Sequence, residues 1–109
     1  MPRTRTDALG PAARPVAVPA DFGVAAAQAS GPVELPFHVR WSGPPVTYDL
    51  SDRGDRVRVY EQVLREGTAA DVRFYVDPIE LLELWDELVL PSPVRRAWAG
   101  WIEGHRSAV

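Results

Sequence analysis

The stretch SDRGDRVRVYEQVLREGTAADVRFYVDPIELLELWDELVLPSPVRRAWAGW, residues 51–101, decides the fold, because helix starts and stops are written in it. Gly67 precedes Thr68, Asp77 precedes Pro78, and Ser92 precedes Pro93. Glycine past a helix end, a small polar side chain capping the next start and proline at a first helical position are each known boundary devices. The first helix should run from about Asp52 to Glu66, with Ser51 as cap and Asp52 and Asp55 at the positive end of its dipole. Val57, Tyr60 and Leu64, flanked by Val59 and Val63, supply its apolar face. The second helix, about Ala69 to Val76, is capped by Thr68, and Asp71 three residues on completes a capping-box pattern. Val72, Tyr75 and Val76 should point inward. The third helix should span Pro78 to Leu88 with Ile79, Leu82, Trp85 and Leu88 on one face, widened by Leu81 and Leu84. The fourth begins at Pro93 and runs toward Glu103 with Val94, Ala97, Trp98, Trp101 and Ile102 as its stripe.

Outward from this block the pattern changes. Val33, Leu35, Phe37, Val39 and Trp41 alternate with Glu34, Pro36, His38 and Arg40, a period of two that Val46, Tyr48 and Leu50 resume after Ser42-Gly43-Pro44-Pro45. Two readings fit: a short hairpin, or an extended arm over residues 33–50 lying across the helices or a partner. The arm is preferred, because two short strands alone are hardly stable. Residues 1–32 are rich in Ala, Pro, Gly and Arg without sustained period, and read as a disordered tail. The expected architecture is therefore all-α: a bundle of three to four short helices over 51–106, preceded by the arm and the tail.

Composition narrows the function classes. The 109 residues allow one domain, and there is no cysteine, which excludes thiolate zinc sites and a cysteine nucleophile and fits a reducing, cytoplasmic setting. Every basic residue other than histidine is arginine. Net charge is −3, so no general electrostatic pull toward nucleic acid or an anionic membrane is expected. No apolar run approaches the ~20 residues of a membrane span. Arg3, Arg5 and the small residues near Ala29 superficially resemble a leader, but Pro11, Pro15, Pro19 and Asp21 interrupt its apolar region, which argues against export.

Candidate chemistry is sparse. Asp49, Asp52 and Asp55 lack the glycine and terminal glutamate of a calcium loop, and helix capping accounts for Asp52 and Asp55. His38 and His105 are the only histidines, in separate segments with no nucleophile beside them, and read as structural or solvated. No metal, cofactor or catalytic set is expected. Glu80, Glu83, Asp86 and Glu87 make the third helix acidic, while Arg95 and Arg96 open the fourth, where the helix dipole disfavours positive charge. The two arginines either pair with Asp86 or Glu87 or meet an anion on a partner. Trp85, Trp98 and Trp101 sit at core positions, but four tryptophans exceed what so small an interior hides. Aromatic and arginine side chains are typical interface anchors, so Arg40, Trp41, Tyr48, Arg95, Arg96 and Trp98 are the expected partner-binding residues. For Trp41, interface and self-packing readings stand level. A helix-turn-helix over the second to fourth helices is allowed by their lengths, but the acidic third helix would repel phosphate, so DNA binding ranks below protein binding and stays open.

Four segments carry a family resemblance: Phe37-His38-Val39-Arg40-Trp41-Ser42-Gly43-Pro44, Val59-Tyr60-Glu61-Gln62-Val63-Leu64-Arg65-Glu66-Gly67-Thr68, Leu84-Trp85-Asp86-Glu87-Leu88-Val89-Leu90-Pro91 and Val94-Arg95-Arg96-Ala97-Trp98. Through them residues 35–101 resemble a group of small actinobacterial proteins that accompany AbiEii-type nucleotidyltransferase toxins. The resemblance implies an antitoxin that neutralises such a toxin by binding it; whether the chain acts as a monomer or a homodimer the sequence leaves open. The larger antitoxins of such systems can carry a winged DNA-binding domain, for which this chain shows no second domain. The alternative is a small helix-turn-helix-like transcriptional regulator.

Overall fold

The computed structural model describes residues 16–19, 22, 28–40 and 46–107. Two short strands, β1 (Pro32–Glu34) and β2 (Thr47–Asp49), precede four helices: α1 (Arg53–Glu66), α2 (Ala69–Tyr75), α3 (Pro78–Leu84) and α4 (Ser92–Ser107). A single 3-10 turn, Trp85–Glu87, extends α3. The domain is mostly helical, as the block 51–101 implies, but it also contains a small sheet.

The strands pair antiparallel, with Pro32 opposite Asp49, Val33 opposite Tyr48 and Glu34 opposite Thr47. The hairpin reading therefore replaces the extended arm. The ribbon does not stand alone, which removes the objection to it: Asp49 N–H donates to Asp55 Oδ2 on α1 at 3.0 Å, and Arg56 Nη1 donates to the Leu50 carbonyl at 3.0 Å. Gly31 enters β1 at φ 67°, a left-handed conformation that glycine adopts without steric cost.

The α1 start differs from expectation by one residue. Asp52, not Ser51, is the cap, its Oδ2 accepting the Asp55 N–H at 2.9 Å. Ser51 turns back instead and donates its hydroxyl to Asp49 Oδ1 at 2.6 Å. Val59, Tyr60, Val63 and Leu64 are buried as the spacing requires. Gly67 ends α1 in an extended conformation (φ −81°, ψ 162°), so left-handed freedom is not its use. A Cβ there would stand 2.7 Å from the Val63 carbonyl oxygen and 3.0 Å from Asp71 Cβ; only glycine lets α1 and α2 meet this closely. Thr68 and Asp71 form the expected capping box, and α2 ends at Tyr75 with Val76 as its C-cap.

The third helix departs most. Asp77 caps it and Pro78 opens it, but it stops at Leu84, short of Leu88. Its buried set is Leu81, Leu84, Trp85 and Leu88, while Ile79 is 69 % exposed. Ile79, Leu81, Leu82 and Leu84 offer two overlapping apolar faces, and the i, i+3, i+4, i+7 series from Leu81 packs inward. The fourth helix starts earlier and ends later than expected. Ser92 is already helical, because Pro91 supplies the first accepting carbonyl, to Val94 N–H at 3.0 Å and Arg95 N–H at 3.1 Å. Its core stripe is Val94, Trp98 and Ile102; Ala97 lies outside it and Trp101 is half-buried.

The core also takes in a residue of the expected tail. Phe22 is 7 % exposed, edge-on to Trp98 at 5.3 Å and tilted against Trp101 at 5.0 Å. Farther on, Ala29 N–H donates to the Phe74 carbonyl at 2.8 Å and Gln28 Nε2 to the Val76 carbonyl at 3.0 Å. At these positions the expected tail packs on the helices; its residues 1–15, 20–21 and 23–27 lie outside the described residues.

Candidate functional site

The five expected partner-binding residues that the structure describes do not gather on one surface. Trp41 lies outside the described residues. Trp98 is 0 % exposed and Tyr48 is 8 % exposed, so in this fold both serve the core, and neither reaches a partner without unfolding. Tyr48 is drawn in by strand pairing opposite Val33, which the arm reading did not include. Arg40 sits in the turn after β1, its N–H donating to the Pro36 carbonyl at 3.0 Å, and it makes a further interaction within the chain.

Arg95 and Arg96 behave differently from each other. Arg95 Nη2 donates to the Leu88 carbonyl and reaches the Trp85 carbonyl at 3.5 Å, with its guanidinium carbon 4.8 Å from the centre of the Trp85 ring. It thus closes the end of the 3-10 turn and ties α4 to α3. The acidic groups expected to receive it go elsewhere: Glu87 to Arg53, and Asp86 to Arg106 at 3.4 Å. Arg96 is exposed, and its side chain has no hydrogen bond or ion pair among the described residues.

Two polar clusters are assembled that the sequence did not announce. In the first, His38 Nε2 lies 2.6 Å from Asp71 Oδ2, and the same oxygen accepts the Thr68 N–H at 2.8 Å and the Thr68 hydroxyl at 3.1 Å. Burial alone would raise the Asp71 pKa. Hydrogen bonds from the Thr68 backbone, His38 and the Thr68 hydroxyl outweigh it and hold the carboxyl below its ordinary value. His38 thereby fastens the turn 37–40 onto the N-terminus of α2. Phe37 rides on that turn with its ring 78 % exposed, and Phe74 follows Asp71 by one turn of α2, also exposed.

The second cluster surrounds a cleft of about 240 Å³ between the segment 28–31, α1 and the α2–α3 junction. Arg56 Nε is buried without a hydrogen bond, although Glu80 Oε1 is only 3.4 Å away, because the N–H does not point at it. Tyr60 Oη accepts the Asp77 N–H at 3.0 Å, and burial pushes its phenol up to about 12. These groups are a charge pair and a neutral phenol. Among them no nucleophile stands beside a base. No group of three or more His, Asp or Glu able to hold a metal occurs among the described residues, nor any helix long and apolar enough to cross a membrane.

No protein family, curated protein or solved structure matches the chain.

Proposed function

We propose that the chain is an antitoxin-like protein-binding factor, acting in the cytoplasm by direct binding to a nucleotidyltransferase-type toxin and without catalysis of its own. The observation that carries this reading is where large apolar side chains are left outside. Phe37 and Val89, the latter 79 % exposed, are turned to solvent, and both lie in segments that carry the resemblance. Single exposed apolar residues are common, but an aromatic ring held out on a turn that is itself anchored by the His38–Asp71 contact is a preorganised anchor. The partner surface is therefore the turn 37–40 with the adjoining face of α2. Tyr48, Arg95 and Trp98 contribute by holding the fold. The DNA-binding alternative gains nothing from the geometry: α3, the second helix of such a motif, exposes Glu83 and carries Glu80, with no base.

Co-expression with a nucleotidyltransferase encoded beside this chain tests the proposal. Co-purification and rescue of growth support it. A toxin that the wild-type chain neither binds nor silences counts against it, and sequence-specific DNA retention would promote the regulator instead.

A further inference from the structure

The outer face of α4 has a composition that packing among the described residues does not use. At 3.6 residues per turn Gly100 falls opposite Trp98 and Ile102, which face the core. Arg96 and Glu103, nearly two turns apart, share one edge of that outer face. Both are exposed, and neither side chain has a hydrogen bond or ion pair among the described residues. Ala97 and Gly104 form the next row, and a Cβ added to Gly100 or Gly104 would meet nothing within 4 Å. Half-buried Trp101 forms the far edge, stacked against His105 with ring centroids 3.9 Å apart.

We propose that this face docks on the same face of a second copy, the two α4 helices running antiparallel about a two-fold axis near Gly100. Such an axis reverses helix direction but keeps each edge beside itself. Arg96 then stands opposite the partner's Glu103, and Glu103 opposite the partner's Arg96. Ala97 meets the partner's Gly104, and the absent side chain at Gly100 lets the backbones approach. One base and one acid at this spacing make an edge self-complementary; two bases or two acids would make it self-repelling. Trp101 adds the apolar flank. A single helix face covers less than the ~800 Å² per partner of standard interfaces, so the dimer is weak, with a Kd of about 1 μM or higher. This surface is separate from the turn 37–40, and a dimer leaves that turn open.

Sedimentation equilibrium of the full chain, from about 1 μM to about 500 μM, tests the proposal. The wild type should show a reversible monomer–dimer equilibrium. Arg96→Glu and Glu103→Arg should each weaken it at least about tenfold, since each sets like charges against each other twice. Mixed together, these two single variants should form a heterodimer, and the doubly reversed chain should self-associate like the wild type. Gly100→Leu should leave a monomer, and circular dichroism on every variant should show wild-type helix content, because all three positions are exposed. A wild type that stays monomeric throughout overturns the proposal, including the case in which a different protein covers this face. So does a dimer indifferent to both reversals, or single variants that fail to pair with each other.

Discussion

Phe22 and Phe37 both lie ahead of α1, yet they end in opposite environments. Phe22 is wedged against two tryptophans of α4; Phe37 stands in solvent. Local sequence does not separate them, since both follow a proline-broken stretch. What separates them is the receiving surface. The α4 stripe presents Trp98 with a ring edge to cover, whereas the turn bearing Phe37 is fixed by a polar contact, His38 to Asp71, that leaves the neighbouring ring outside. The first phenylalanine completes a core. The second stands in solvent on a turn that His38 holds to α2.

The largest effect on that contrast should come from the receiving surface itself. Trp98→Ala removes a side chain with no exposure and should cost about 3–5 kcal/mol, read from urea unfolding. Retained stability would mean that α4 does not face the core. Next comes Phe22→Ala, with an expected loss of about 2–4 kcal/mol, set against Phe37→Ala within about 0.5 kcal/mol of wild type. Equal effects from the two would erase the distinction. Thr68→Ala should cost about 1 kcal/mol by leaving the Asp71 N–H without its capping oxygen.

The smallest effect is the acid dependence of Asp71. Its folded pKa lies below the ordinary value of 3.8, so the ionised form stabilises the fold. That contribution is fully present above the unfolded pKa and is lost as pH falls below 3.8 through the folded pKa. The stability gap between wild type and Asp71→Asn should therefore narrow from pH 7 to pH 3, measured by urea midpoints. A constant gap would mean that the His38 and Thr68 contacts do not favour the carboxylate.

How far the sequence could be read follows the range of the interactions. The Thr68–Asp71 box and the Asp77-Pro78 start are local, spanning three residues or fewer, and both stand where the pattern puts them. Ser51 and Asp52 were interchangeable as caps by type, and the choice fell to Asp52 because β2 claims the Ser51 hydroxyl through Asp49. The inward face of α3 was ambiguous, because its apolar residues form two overlapping faces, and only packing into the common core chose Leu81 over Ile79. The pairing of Val33 with Tyr48, the contact of His38 with Asp71 and that of Arg56 with Glu80 join residues distant in the chain. Period and propensity carry no signal for such pairs. Of the expected partner-binding residues, Trp98 and Tyr48 were correctly seen as large and aromatic, but residue type alone does not say on which side of the surface they fall.

The most direct test of the whole account is a paired measurement on Phe22→Ser and Phe37→Ser, reading melting temperature and co-purification with the neighbour-encoded nucleotidyltransferase. The account predicts that Phe37→Ser melts like the wild type but loses at least about tenfold in partner binding, while Phe22→Ser melts many degrees lower. A Phe37→Ser chain that binds its partner undiminished, or that melts as low as Phe22→Ser, would contradict it.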